Sequence, residues 1–185
     1  MKAAASLSCV MALSVLGITV VSSQVQTALK AEMGAMAEHD HAPARASTSL
    51  TLTVDRKSTA LSVAELQAMP QKTVTVHNEH TKVDESYTGV LLGDLLAKHG
   101  FPVDKTTQQK MLRSYLVAEG TDKYWVLYSV TEIEGSEHQG EATVATSMGG
   151  KPLGDDGKFK LVDSGDKKPQ RWVRNLSAIT VKSAE

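Results

Sequence analysis

Between Thr73 and Gly100 the hydrophobic period of the chain changes, and this switch restricts the fold more tightly than any other stretch. Val74 and Val76 alternate with polar residues, the period-2 pattern of a half-buried strand. Leu91, Leu92, Leu95 and Leu96 then recur at helical spacing, with Gly100 and Pro102 as a stop signal. Between them lie a polar loop of His77, Asn78, Glu79 and His80 and a Tyr87-Thr88-Gly89 turn. The spacing predicts a strand over 72–77, a loop, and a helix over 90–99. Two histidines and a carboxylate in one short loop make it the first place to look for chemistry.

The same reading extends along the chain. Leu50, Leu52 and Val54 alternate within 47–54, so a folded domain is expected to open on that strand. Ser62-Val63-Ala64-Glu65 is a capping box and starts a short helix to about Met69, closed by Pro70. Leu112–Ala118 and Tyr124–Val130 read as strands joined by a Glu119-Gly120-Thr121-Asp122 hairpin. Ser129 or Thr131 caps one turn through Glu134, and 142–146 is a further strand. Gly149-Gly150-Lys151 lacks the spacing of a phosphate loop and precedes a proline, so it reads as a hairpin turn. Strands over 158–162 and 178–181 close the pattern, with Arg171–Leu176 between them as a helical turn. Seven short strands with two helices in irregular order predict an α+β domain over residues 47–182, built on a mixed, largely antiparallel sheet.

The start of the chain has a different character. Met1-Lys2, an apolar run from Ala3 to Val21 and then Ser22-Ser23 form a secretory signal pattern, with cleavage expected before Gln24. Ala35-Met36-Ala37 is a second small-residue site, and an uncleaved leader is long enough to anchor the chain in a membrane. Residues 24–46 read as a flexible tail, in which His39-Asp40-His41 is either a chelating motif or part of a solvated linker. The single cysteine, Cys9, lies inside the leader, so the exported chain carries no thiol for a disulfide, a nucleophile or thiolate metal ligation. Its 19 Lys and Arg stand against 21 Asp and Glu, and no arginine-rich stripe is present, which excludes a nucleic-acid partner. No Gly-x-Ser-x-Gly elbow supports a hydrolase. Periplasmic or secreted location follows from the leader.

Four phrases, taken together, resemble the oxidoreductase molybdopterin-binding domain, the fold of sulfite oxidases. They are Ser62-Val63-Ala64-Glu65-Leu66-Gln67-Ala68-Met69-Pro70, Tyr87-Thr88-Gly89-Val90-Leu91-Leu92-Gly93-Asp94-Leu95-Leu96, Ala145-Thr146-Ser147-Met148-Gly149-Gly150-Lys151-Pro152-Leu153 and Arg171-Trp172-Val173-Arg174-Asn175-Leu176-Ser177-Ala178-Ile179. The resemblance spans about Leu50 to Val181, and the small single-domain members are the closest in length. It implies a molybdopterin cofactor and a cysteine thiolate on molybdenum about ten residues before the aromatic-x-Gly phrase. Here that position is His77, a neutral donor where the family uses a charged, soft one.

The implied reading is an exported, non-catalytic module that binds a pterin or another small ligand. The alternatives are a molybdenum-dependent oxidoreductase with a non-cysteine ligand, and a scaffold domain for an envelope redox partner. His77, Asn78 and His80 are either ordinary loop residues, contacts to a pterin or phosphate, or, for the histidines with Glu79, ligands of a divalent metal. His138 on its glycine-bounded loop either faces the same pocket or is solvated. Arg171 and Arg174 at i, i+3 of a helical turn would hold one phosphate between them, or else pair with Asp163 or Asp166. Trp125 and Trp172 are expected to anchor the sheet.

Overall fold

The computed structural model describes residues 45–79, 81–101, 103–134 and 139–184. The leader, the tail as far as residue 44 with His39 and His41, and the loop histidines His80 and His138 lie outside the described residues.

Ten strands form two five-stranded sheets. β1 (Leu50–Val54) turns back on β2 (Lys57–Leu61) through Asp55 and Arg56, both at positive φ. The Ser62 box then opens α1 (Val63–Gln67), Ser62 accepting from the Glu65 amide and Glu65 from the Ser62 amide. β3 (Lys72–Asn78) and β4 (Val83–Leu91) make a hairpin that leads into α2 (Leu92–Lys98). After α3 (Gln108–Leu112), β5 (Ser114–Gly120) pairs with β6 (Trp125–Ser129), and α4 (Val130–Glu134) follows directly. β7 (Ala142–Met148) turns through Gly149 and Gly150, both at positive φ, onto β8 (Lys151–Pro152). β9 (Lys160–Asp163) and β10 (Leu176–Ser183) complete the set.

One sheet has the order β2-β1-β10-β5-β6, and within it only β1 and β10 run parallel. The other has the order β3-β4-β7-β8 with β9 also on β7, all antiparallel. The main core joins Leu50 and Leu52 of β1, Leu116 of β5 and Ile179 of β10 to Leu92, Leu95 and Leu96 of α2. A second cluster joins Val74 and Val76 of β3, Tyr87 of β4, Ala145 of β7, Val162 of β9 and Trp172. No described helix is long and apolar enough to cross a membrane.

The α+β class holds, but several local expectations are corrected. There are two sheets where one was expected, and His77 and Asn78 end a strand instead of lying in a loop. Tyr87-Thr88-Gly89 is not a turn but the middle of β4, and the helix starts only at Leu92. Gly89 is required there because a Cβ would fall 2.1 Å from the carbonyl oxygen of Val144, at a bulge between β4 and β7. Leu112 belongs to α3 and is exposed, not the first residue of a strand. Arg171–Leu176 is not a helical turn: a 3₁₀ turn ends at Arg171, Val173 bridges to Leu161, and Asn175 has positive φ. Trp172 is buried as expected, whereas Trp125 is 61% exposed.

Candidate functional site

β3 sends alternate side chains to opposite faces. Val74 and Val76 are buried and Asn78 is half-buried on their side, while Thr73, Thr75 and His77 are exposed. His77 therefore stands on the outer face, where its Nδ1 lies 2.8 Å from Asp84 Oδ1 in a solvent-exposed pair. Asn78 stands on the inner face, where its Nδ2 donates to Glu85 Oε1 at 2.9 Å.

Asn78 and Arg174 both line a cleft of about 360 Å³. Trp172, Met148 and Pro169 contribute apolar wall; Glu85, Tyr87, Asp156 and Lys160 contribute the polar groups between. Lys160 is the unusual member, a lysine only 6% exposed. Its Nζ donates to Tyr87 Oη at 2.7 Å and to Asp156 Oδ2 at 2.8 Å. It also lies 4.6 Å from the centroid of the Tyr87 ring and 5.6 Å from that of Trp172. An ammonium has no lone pair, so the Tyr87 oxygen must accept from it and turn its own proton to Glu85 Oε2, 2.6 Å away. Burial first, and then the Glu85 carboxylate, push the Tyr87 hydroxyl far above the ordinary value of 10.0, so it remains a neutral donor.

The chain of contacts runs from Asn78 through Glu85, Tyr87 and Lys160 to Asp156, whose other oxygen accepts from Arg174 Nε. Two cations face two carboxylates, so the cleft is close to charge-neutral. Of the Arg174 guanidinium only Nε is paired among the described residues, and its side chain is mostly exposed at the rim. The site can therefore offer a small polar ligand an open pair of Nη donors, carboxylate and carboxamide acceptors, and an aromatic edge.

The structure thus brings two of the sequence-predicted residues, Asn78 and Arg174, to one cleft. Arg171 is elsewhere. Its Nη2 is 2.6 Å from Asp166, its Nη1 is 2.9 Å from Glu132, and its guanidinium lies 4.4 Å from the centroid of the Tyr128 ring. These carboxylates, Asp166 foremost, raise its already high pKa, and the residue fastens the segment after β9 to α4. The shared helical face for Arg171 and Arg174 does not exist. Sequence reasoning missed Lys160, Asp156 and Glu85; Lys160 opens β9, a Lys-Leu-Val-Asp strand all four of whose residues are buried.

A wider cleft of about 590 Å³ between α2, α4 and the start of β7 carries Asp94, Glu134 and Glu141 but no cation among the described residues. Among the described residues no group of three or more His, Cys, Asp or Glu is placed to hold a metal. Besides the Met148 thioether, the 360 Å³ cleft presents nitrogen and oxygen groups, with no thiol among the described residues. A soft, thiolate-demanding centre such as molybdenum does not fit this donor set. The organic part of such a cofactor is a different matter, since its ring needs a flat apolar wall and hydrogen-bonding edges.

No family model matches the chain, and no curated protein matches it. Among solved structures it is similar to the crystal structure of the sulfane dehydrogenase SoxCD from Paracoccus pantotrophus, with 18% identity and a TM-score of 0.56. The match covers 74% of this chain and 39% of that one, so the chain spans well under half the length of this neighbour. The likeness is one of fold, and the relation it supports is distant.

Proposed function

We propose that this chain is a small-ligand-binding module with the fold of a molybdopterin-type oxidoreductase, that it binds a pterin or a comparable flat polar molecule without a metal, and that it acts outside the cytoplasm. The observation that carries the reading is the Asn78–Glu85–Tyr87–Lys160–Asp156–Arg174 network along a concave cleft. Buried charge is costly to maintain, and a charged network with a strongly perturbed group in a cleft marks a candidate binding site. The donor set favours a metal-free ligand. The size, about 360 Å³, is at the small end of ligand pockets. Fold alone says nothing of activity, so the distant likeness to an oxidoreductase supports the ligand class and not turnover. The leader-type pattern of residues 1–23 supports export.

Asn78 and Arg174 bind the ligand's polar edges, Lys160 and Asp156 hold the floor of the cleft rigid, and Trp172 and Met148 provide the apolar wall. The test is elemental analysis and mass spectrometry of the full-length chain purified from cells that make the molybdenum cofactor. The expected result is an organic ligand without molybdenum. Stoichiometric molybdenum would contradict the reading and restore a metal-dependent oxidoreductase.

A further inference from the structure

A second concentration of charge lies where β10 ends. Two clefts of about 630 and 590 Å³ adjoin there and share Ser183 and Ala184. Lys105, Lys110 and Arg113 line one, Arg56 and Lys182 line the other, and among the described residues the only carboxylate in either wall is Asp55. Asp55 is already engaged, 3.0 Å from Lys110 Nζ. Arg56, Lys105, Arg113 and Lys182 have no carboxylate partner among the described residues. The nearby Asp104 is exposed and caps the 3₁₀ turn at Lys105, accepting from the Thr106 amide at 2.8 Å. The whole chain has a net charge of -1, so this excess is local and not a property of the composition.

The groove has a fixed frame. Ala184 N donates to Arg113 O at 2.7 Å, and the Ser114 and Ser183 hydroxyls are 2.8 Å apart, which ties the end of β10 to the end of α3. The half-buried Tyr115 stands in the wall, and Leu112, 66% exposed, precedes Arg113 in the chain without lining either cleft. We propose that this basic groove is a docking site for an acidic, extended segment of a partner protein. Charge complementarity selects the occupant, and Tyr115 offers it an apolar anchor. Shape argues against a membrane surface, because the cations rim concavities that a flat bilayer would not enter. α3 also has five residues and a single exposed apolar side chain, too little for an interfacial helix. The inference is independent of what the Asn78–Arg174 cleft binds.

The test is fluorescence anisotropy of the full-length chain with a labelled polyglutamate peptide carrying one central leucine. Binding is expected at low ionic strength and is expected to weaken as salt screens exposed charges. Lys105→Glu/Arg113→Glu/Lys182→Glu should weaken it by about tenfold or more, by loss of several exposed pairs. The neutral triple variant to Gln should fall in between with an unchanged melting curve, whereas Lys167→Glu/Lys168→Glu should bind as the unaltered chain does. Absence of peptide binding, equal binding by the charge-reversed variant, or binding of phosphatidylserine vesicles in place of the peptide would each overturn the proposal.

Discussion

Lys160 donates to the hydroxyl of Tyr87 at 2.7 Å, and this bond directs the phenol proton to Glu85 and so links the two halves of the cleft. The ammonium tolerates its burial because Asp156 neutralises it at 2.8 Å. Removing the partner of a buried charge costs about 3–5 kcal/mol, whereas an exposed pair contributes about 0.2–1 kcal/mol. Asp156→Ala should therefore be strongly destabilising. Arg174→Ala, which removes the exposed partner of the same carboxylate, should cost less than about 1 kcal/mol. Urea denaturation of the two variants checks the order, and equal losses would show that Lys160 does not depend on Asp156.

Gly89 and Gly93 lie four residues apart and should respond to alanine in opposite directions. At Gly89 a Cβ would meet the backbone of β7 at 2.1 Å, so Gly89→Ala must force β4 and β7 apart, at about 1–3 kcal/mol or more. Gly93 is helical and the nearest atom to its added Cβ is 3.7 Å away, so Gly93→Ala should stabilise by up to about 1 kcal/mol. Thermal unfolding of both variants is the measurement.

The α1 cap carries a pH signature. Hydrogen bonds from the Ser62 amide and hydroxyl hold the Glu65 carboxyl below its ordinary value of 4.5. A carboxyl whose pKa is lowered by folding adds stability above its unfolded value, and that stability is lost as pH falls through the folded value. The Tm difference between the unaltered chain and Glu65→Ala should thus be constant down to about pH 5 and shrink in more acid solution. Ser62→Ala should cost about 0.5–2 kcal/mol at neutral pH.

Arg171 is a structural clamp in this account. Arg171→Met removes the hydrogen bonds to Asp166 and Glu132 and should cost about 1.5–3 kcal/mol, the range for hydrogen bonds to charged groups. Chemical denaturation reads this directly. Loss of ligand binding at full stability would instead place Arg171 in the binding machinery.

Elements whose period and capping are local were legible in the sequence: the alternation of β1, the Ser62 box, the leucines of α2 and the hairpin between β5 and β6. β2 was missed because it is an edge strand of Lys57-Ser58-Thr59-Ala60-Leu61 with one buried residue, which leaves no period to detect. The outer half of β4, Val83 to Ser86, is polar or exposed and reads as loop until its pairing with β3 is known. Arg171–Leu176 has helical spacing, but the bridge from Val173 to Leu161 and the positive φ of Asn175 override it. Asn78 and Arg174 were legible as candidates. Lys160 and Asp156 were not, since nothing local distinguishes a buried lysine from the many solvated ones.

The central claim is that the cleft between Asn78 and Arg174 binds a metal-free pterin-type ligand. Isothermal titration of the full-length chain with biopterin tests it most directly. The account predicts saturable binding that Asn78→Ala and Arg174→Ala each weaken by about 0.5–1.5 kcal/mol, a hydrogen bond's worth, while His77→Ala on the outer face binds unchanged. Absence of binding by the unaltered chain, or a loss with His77→Ala and none with Arg174→Ala, would contradict it.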